Sequence, residues 1–489
     1  MKNGKNANIF LGIPYAAAPI EDLRLEDTSE PSPVAVWIHG GGFCFGDSEI
    51  YGYKQLAENF VSRGIIVVTI QYRLGPFGFF SLGDHNLPGN FGLWDQRQAL
   101  LFLREVLPAF GGDKERITVW GHSAGGTSAS LLSASPHTRD LFSQTFQMSG
   151  STFVEWGNSK RVIGVSQQLS EYLGCPKTSC SKTIKDCIKT KTTQEILEAS
   201  DKLGLSRNDL NFDWYHPVAD VEWFGKDYIH ELQDSPKKPT LIGVTSAESL
   251  LCSAYVPESL ATMFSMHMGI KKDDQPNFSK QNLINFIRNK IATISAFGND
   301  AEAAFKDLKE FYVERGSVDQ KSQDRFYFNR YTDLLSDIQF TIPSIRDGLE
   351  KSKLDWPTYI YLFDYTNPEL VEEFGFYGGA NHGLELAYLH GTFIFKYFNF
   401  TPIDYNLRNA YVEGVANFFK YGKPSFQNQE WPKMIADDTF KYFHLGEKTQ
   451  IADNFFNERL EFWENFGEKY HFDLIRGEYR HSKKVKDEL

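Results

Sequence analysis

The sequence predicts an α/β fold with a central, mostly parallel sheet and helices on both faces. Three short runs of β-branched and aromatic residues, bounded by turn residues, are typical of buried strands: 34–38 (VAVWI), 65–70 (IIVVTI) and 117–120 (ITVW). Between the last two runs, the apolar residues of 93–110 recur on one helical face. Strands that alternate with helices indicate parallel pairing, because a parallel crossover is usually helical.

The rest of the chain extends this pattern and adds insertions. Three later apolar runs continue the sheet: 145–148, 240–245 and 359–363. Two polar, helix-rich stretches are interpreted as insertions that cover the sheet: roughly 155–235 and 255–350. The very hydrophilic segment 271–290 is expected to contain a surface loop. We therefore expect a single domain over 1–480, followed by a tail over 481–489.

Composition excludes several classes of function. The 489 residues carry 63 acidic and 51 basic side chains, for a net charge of −12. An acidic surface repels nucleic-acid phosphates and anionic membrane faces, so neither is an expected partner. No stretch approaches the about 20 apolar residues that a membrane-spanning helix needs. The chain is expected to be a soluble globular protein.

The strongest motif is GHSAGG at 121–126, which directly follows the ITVW strand and precedes a helical run over 127–135. This G-x-S-x-G pattern needs a sharp strand-to-helix turn that lifts the serine hydroxyl above the sheet, and glycines where side chains would clash. The following helix N-terminus favours negative charge at this point. The pattern predicts an α/β-hydrolase fold with Ser123 as nucleophile.

A second motif, HGGGF at 39–43, follows the VAVWI strand. Glycine-rich loops of this kind supply backbone N–H groups to the oxyanion in esterases and lipases. The third donor is expected to be the N–H of Ala124, the residue after the nucleophile. A phosphate-binding loop would need G-x-G-x-x-G spacing or a Gly-Lys-Ser/Thr sequence, and neither is present.

The general base should follow the nucleophile in the chain, because the order in this fold is nucleophile, acid, base. His382 lies in the glycine-rich loop GGANHG after the YIYLF strand, where the fold presents its base. His390 is the alternative, but its apolar surroundings favour a structural role.

The acid that orients the base should follow an earlier strand. Glu248 stands just beyond the apolar run 241–245, which makes it the preferred acid. Asp220 is the alternative, although it precedes that strand.

Cysteines and sequons add modification sites. Cys175, Cys180 and Cys187 cluster in a polar stretch, and a loop disulfide is favoured over zinc because no second ligand pair follows. Asn277 and Asn399 head N-x-S/T sequons, and Pro402 after the second is expected to reduce its use.

Taken together, these motifs resemble the type-B carboxylesterase and cholinesterase family. The resemblance covers nearly the whole chain and is carried by the segments FLGIPYA (10–16), HGGGF, QYRLG (71–75), PGNFGLWDQ (88–96), FGGD (110–113), GHSAGG, QMSGS (147–151), 243–248 and the His382 loop.

The resemblance assigns a role to each matching position. It implies a triad of Ser123, Glu248 and His382, and oxyanion donors at Gly41, Gly42 and Ala124. It further implies that Ser149 lies near the acid, that Arg73 and Asp95 form a salt bridge, and that Cys175 and Cys187 form a disulfide. His122, which precedes the nucleophile, is expected to influence the site without contacting the substrate.

The function that this resemblance implies is hydrolysis of small carboxylic esters through an acyl-enzyme, with no metal or organic cofactor. The alternatives are a non-catalytic, cholinesterase-like adhesion protein and an inactive truncated isoform of an esterase. A true cholinesterase is disfavoured, because the segment that carries the choline-stacking tryptophan in that family is missing.

The sequence departs from the family at three points. Position 122 carries His where many members have Glu, a change expected to tune the site. The chain is shortened between about 25 and 34, so we expect a missing strand and an unpaired edge beside the VAVWI strand. The N-terminus has no apolar signal region. The 489-residue chain, expressed as it stands, is therefore expected to stay cytosolic and to be poorly soluble or inactive.

The last four residues nevertheless match an address for the endoplasmic reticulum: Lys486, Asp487, Glu488 and Leu489. This KDEL sequence predicts a lumenal parent protein that is retrieved by the KDEL receptor.

Overall fold

The computed structural model of the chain describes residues 30–178, 180–204, 210, 214–218, 221–254, 268–316, 325–393, 396–436 and 440–480. These residues form the following strands: β1 Ser32–Ile38, β2 Ile66–Ile70, β3 Gly112–His122, β4 Gln144–Met148, β5 Thr240–Thr245, β6 Thr358–Asp364, β7 Ser425–Phe426, β8 Gln429–Glu430, β9 Tyr442–Gly446, β10 Gln450–Ala452, β11 Phe472–Asp473 and β12 Glu478–Tyr479.

Eight of these strands form one central sheet, in the spatial order β10-β9-β6-β5-β4-β3-β1-β2. Every neighbouring pair in it is parallel except β9 and β10, which are antiparallel. The predicted fold class, a mostly parallel sheet surrounded by helices, is therefore confirmed. Each strand predicted from an apolar run is present within one or two residues, except β3, which begins several residues earlier than its apolar run.

The α-helices among the described residues are Lys54–Asn59, Gly75–Phe79, Phe91–Val106, Ala124–Ala134, Arg161–Tyr172, Ser181–Ile188, Thr193–Asp201, Val221–Phe224, Tyr228–Gln233, Leu250–Ser253, Lys280–Phe286, Ile294–Phe297, Ala301–Lys309, Phe326–Ser336, Ile342–Lys353, Pro368–Phe374, Leu386–Leu389, Pro402–Tyr421 and Asn457–Tyr470. None of the helices in this part of the chain is long and apolar enough to cross a bilayer.

The segment 271–290 corrects one expectation. It is largely helical, with a 3₁₀ turn at Lys272–Asn277 that leads into the helix Lys280–Phe286. Ser279 caps that helix by accepting a hydrogen bond from the backbone N–H of Asn282, and its own N–H donates to the Asn282 side chain. The capping box explains why so hydrophilic a segment is helical, since it satisfies backbone groups that a loop would expose to water.

Strand β1 has a buried core on each face of the sheet. Ala35 and Trp37 belong to one apolar cluster, and Val34, Val36 and Ile38 belong to another. Successive side chains of a strand point to opposite faces, so this division means that helices cover both faces. Continuous burial of the run VAVWI follows from its place inside the sheet.

The prediction of an unpaired edge beside β1 is wrong. Val34 to Ile38 pair with Ile66 to Ile70 on one side and with Ile117 to Gly121 on the other. Both neighbours of β1 come from later in the chain, because the parallel crossovers place β2 and β3 on either side of it. Among the described strands, β2 forms the edge of the sheet on this side, and most of its residues are only half-buried. The argument for misfolding from an orphaned β1 edge therefore does not hold.

A buried polar network joins both insertions to the helix Ala124–Ala134. The Asp347 carboxylate accepts hydrogen bonds from Ser130 Oγ at 2.6 Å and Tyr228 Oη at 3.0 Å. It also pairs with Lys351 Nζ at 3.0 Å, and both partners of this ion pair are fully buried. A buried charge is tolerated only when it is paired and hydrogen-bonded, so the network depends on Asp347.

Asp347→Ala is expected to lower the free energy of unfolding by about 3–5 kcal/mol, because it leaves the Lys351 ammonium buried without its partner. Lys237→Ala is the matched control, since it removes an ion pair with Asp355 whose partners are both largely exposed. That control should cost less than about 1 kcal/mol. Chemical unfolding curves of the two variants measure both values, and equal losses would contradict the role given to Asp347.

Candidate active site

Ser123 occupies a strained turn between β3 and the helix Ala124–Ala134. Its backbone has φ 57° and ψ −121°, which a residue other than glycine rarely adopts. The Ser123 N–H donates to the Met148 carbonyl at 2.7 Å, which anchors the turn to β4. A Cβ on Gly125 would lie 2.0 Å from the Ile38 carbonyl oxygen, so the helix can approach the sheet only with glycine there. The G-x-S-x-G spacing follows from this close approach.

The glycine loop after β1 lies against the same turn. Gly41 and Gly42 have φ values of 117° and 56°, in the region that favours glycine. A Cβ on Gly40 would lie 3.1 Å from the Cβ of Ser123. Among the hydrogen bonds of the described residues, none is donated by the backbone N–H of Gly41, Gly42 or Ala124. These N–H groups are therefore open to an acceptor bound beside Ser123.

Glu248 and His382, which are far apart in the sequence, form a buried pair. Glu248 follows β5, and its Oε2 lies 2.6 Å from His382 Nδ1. Its other oxygen, Oε1, accepts from Ser149 Oγ at 2.6 Å and from the Thr245 N–H at 2.7 Å. Because Nδ1 donates to the carboxylate, Nε2 of a neutral His382 ring carries the lone pair.

The imidazole of His382 contacts two other rings. The His122 ring centroid lies 4.4 Å from it and the Phe340 ring centroid lies 4.3 Å from it. His122 directly precedes Ser123, so the His382 loop and the turn meet at this contact. The structure thus brings Glu248, Ser149, His122 and His382 together. No hydrogen bond between Ser123 Oγ and His382 is among those of the described residues.

His390, the alternative base, lies in an aromatic cluster. Its ring contacts Trp37 at 4.3 Å, Trp120 at 4.9 Å and Tyr51 at 5.2 Å between centroids. Burial lowers the pKa of His390 to about 3, so this ring stays neutral at physiological pH. Asp220, the alternative to Glu248 as the acid, lies outside the described residues. The FLGIPYA segment at 10–16 and the KDEL sequence at 486–489 also lie outside them.

Sequence reasoning missed one residue of this centre, Glu385. Its side chain is fully buried, and within the described residues neither carboxyl oxygen has a hydrogen-bond partner. The Ser149 hydroxyl donates to Glu248, so its proton is not available to Glu385. Burial, and next the negative charge of Glu248, raise the pKa of Glu385 well above its ordinary value. The only sequence signal was an acid three residues after His382 in an otherwise apolar loop.

The structure also describes the predicted modification sites. Cys175 and Cys187 form a disulfide, which confirms that pairing, while Cys180 is an exposed free thiol. Asn277 and Asn399 are both exposed. The Asn399 side chain donates to Glu369 Oε1 at 3.1 Å.

The salt bridge that the resemblance implies is present: Arg73 Nε lies 2.7 Å from Asp95 Oδ2.

The protein surface has two cavities, of about 660 Å³ and about 450 Å³. Both are lined by residues other than those of the candidate site.

Comparisons with known proteins identify the family of this chain. A profile of the carboxylesterase family matches residues 26–463. Gut esterase 1 of Caenorhabditis briggsae is 31% identical over 537 aligned positions, which cover 99% of this chain and 94% of that protein. Gut esterase 1 of Caenorhabditis elegans is also 31% identical, over 96% of this chain and 92% of its own length. Bile salt-activated lipase of Bos taurus is 28% identical, over 90% of this chain and 72% of the lipase.

Glu385→Gln is expected to stabilise the protein increasingly as the pH rises. A carboxyl group with a raised pKa in the folded state favours folding below its unfolded pKa of about 4.3, and this contribution is lost as the pH rises above that value. Glutamine removes this pH-dependent cost. Melting temperatures between about pH 5 and pH 8 should therefore diverge in favour of the variant. Glu310→Gln, at an exposed carboxylate, is the control. If the difference in melting temperature between Glu385→Gln and the wild type did not change with pH, the raised pKa of Glu385 in the folded protein would be contradicted.

Proposed function

Because this chain belongs to the carboxylesterase family, we propose that it hydrolyses carboxylic esters with Ser123 as nucleophile, His382 as general base and Glu248 as the acid that orients the base. The observation that carries this proposal is the 2.6 Å contact between His382 Nδ1 and Glu248 Oε2, next to the strained turn at Ser123. A base fixed by a buried carboxylate, beside an elevated serine, is the arrangement that acyl transfer requires.

The first half of the reaction forms the acyl-enzyme. His382 Nε2 takes the proton of Ser123 Oγ as that oxygen attacks the ester carbonyl. Glu248 stays ionised and stabilises the imidazolium that forms. His382 then gives its proton to the alcohol oxygen, and the alcohol leaves. The hydrogen bonds from Ser149 and Thr245 to Glu248 support this role, since they favour the charged carboxylate without adding a net charge.

The oxyanion is stabilised by backbone N–H groups of Gly41, Gly42 and Ala124. Gly40, which precedes Gly41 and Gly42, lies against Ser123, and Ala124 directly follows it. These positions, and the absence of other acceptors for the three N–H groups among the described residues, support this assignment. Each such donor contributes about 3–4 kcal/mol to stabilising the transition state. The N-terminus of the helix Ala124–Ala134 adds a partial positive charge at the same place.

The second half of the reaction returns the enzyme to its resting state. Water replaces the alcohol, and His382 takes a proton from it as its oxygen attacks the acyl carbonyl. The tetrahedral intermediate uses the same N–H groups, and Ser123 leaves with the proton held by His382. The products are a carboxylic acid and an alcohol.

A fluorophosphonate probe should label Ser123, and Ser123→Ala should lose both labelling and turnover of p-nitrophenyl esters. The expected loss of kcat is about 10⁴-fold or more, because removing a nucleophile leaves only binding and the oxyanion donors. Ser133→Ala, a buried serine on the following helix, is the control for folding. Probe labelling that persists in Ser123→Ala would refute the proposal, and a series of acyl lengths would define the preferred substrate.

We further propose that the protein acts in the lumen of the endoplasmic reticulum, with a glycan at Asn277. The Cys175–Cys187 disulfide supports an oxidising compartment, where such bonds persist. When the chain is expressed behind a secretory signal, endoglycosidase treatment should increase its gel mobility, and Asn277→Gln should remove most of that change. Asn399→Gln is the comparison variant. It should remove a smaller part of the change in gel mobility, because Pro402 follows the sequon of Asn399.

Deletion of 486–489 from the chain that is expressed behind a secretory signal tests the retrieval sequence. The shortened protein should appear in the medium while the full chain stays in the cells. Equal secretion of both forms would contradict the proposed location.

A further inference from the structure

His122 has no task in the reaction as proposed, yet it lies at the centre of the site. Its side chain is buried, and its ring centroid is 4.4 Å from that of His382, with the two planes inclined by 42°. The ring belongs to the residue that ends β3, so its backbone is fixed by pairing with Met148 in the sheet. The ring that contacts His382 is therefore attached to a rigid strand.

Two glycines leave the space that the His122 ring fills. A Cβ on Gly40 would lie 3.3 Å from His122 Nδ1, and a Cβ on Gly383 would lie 3.1 Å from its Cε1. These glycines belong to the oxyanion loop and to the loop that carries His382. One imidazole thus contacts both loops on which the reaction depends.

The surroundings of His122 favour a ring without charge. Its Nε2 is buried and has no hydrogen-bond partner within the described residues. No carboxylate is hydrogen-bonded to it among those residues, and the titratable groups that act on it are two other histidines, His382 and His390. The carboxyl groups of Glu248 and Glu385 belong to the neighbouring cluster around His382. Burial, and then these two histidines, lower the pKa of His122 well below its ordinary value.

We propose that His122 is a positioning residue, whose uncharged ring packs on His382 and holds it in the orientation that reaches Ser123. The inference rests on the proposed function, because it assumes that His382 is the base. A charged ring at this distance would oppose the imidazolium that His382 forms in the transition state, so the neutral form is the one that permits reaction. Phe340 makes the second ring contact with His382, at 4.3 Å.

Three variants separate ring packing from charge. His122→Phe keeps an aromatic ring and removes titration, His122→Gln removes the ring and keeps polar atoms, and His122→Glu adds a negative charge. Each is compared with the wild type by the pH profile of kcat/KM for a p-nitrophenyl ester. The concentration of active sites is set by fluorophosphonate titration, so loss of folded protein does not count as loss of kcat.

The acidic limb of the His122→Phe profile should stay at the wild-type pH, because His122 carries no charge in the working range. In His122→Glu that limb should move to higher pH by about one unit, since a nearby carboxylate favours the imidazolium. His122→Gln should lower kcat about tenfold more than His122→Phe does, because a base held less firmly reacts more slowly.

Two results would overturn the inference while the wild type remains active. A shift of the acidic limb in His122→Phe would mean that His122 itself titrates, and equal kcat values for His122→Phe and His122→Gln would mean that the ring contact does not position the base. A wild-type protein that neither turns over esters nor reacts with the probe would instead refute the proposed function, and the inference with it.

Discussion

The turn at Ser123 is the constraint on which the rest of the site depends. A residue other than glycine with a φ of 57° is stable only where its surroundings fix the backbone on both sides. Here β3 fixes one side and the helix Ala124–Ala134 fixes the other, and Gly125 allows that helix to lie against the carbonyl of Ile38. The strain is therefore offset by the burial of the sheet and the helix.

The parallel sheet brings the remaining groups to the same place. Gly41 follows β1, Ser123 follows β3, Ser149 follows β4 and Glu248 follows β5. Adjacent parallel strands have their carboxyl ends at one edge, where ligands of open α/β sheets bind. Ser149 also has a positive φ, of 50°, so each of two neighbouring strands is followed by a serine with a positive φ. One serine carries the proposed reaction, and the other donates a hydrogen bond to the acid.

Local sequence could predict the parts of this site that depend on local backbone. The motifs around Gly41 and Ser123 are constrained by turns of a few residues, and the strands before them are continuous apolar runs. Glu385 could not be found in this way, because its raised pKa depends on Glu248, which is distant in sequence. The edge beside β1 was misassigned for a similar reason. Strand order depends on crossovers, and no apolar run indicates which neighbours a strand will have.

The centre contains two carboxyl groups with opposite requirements. The fully buried Glu248 accepts hydrogen bonds from Ser149, Thr245 and His382. Glu385 has no such partners among the described residues, and it lies close enough to Glu248 for the charge of one to oppose ionisation of the other. Only one of two neighbouring buried carboxyl groups can ionise at low cost. The pKa of Glu385 is the one that is raised well above its ordinary value, so the neutral Glu385 keeps a second negative charge away from the proposed acid.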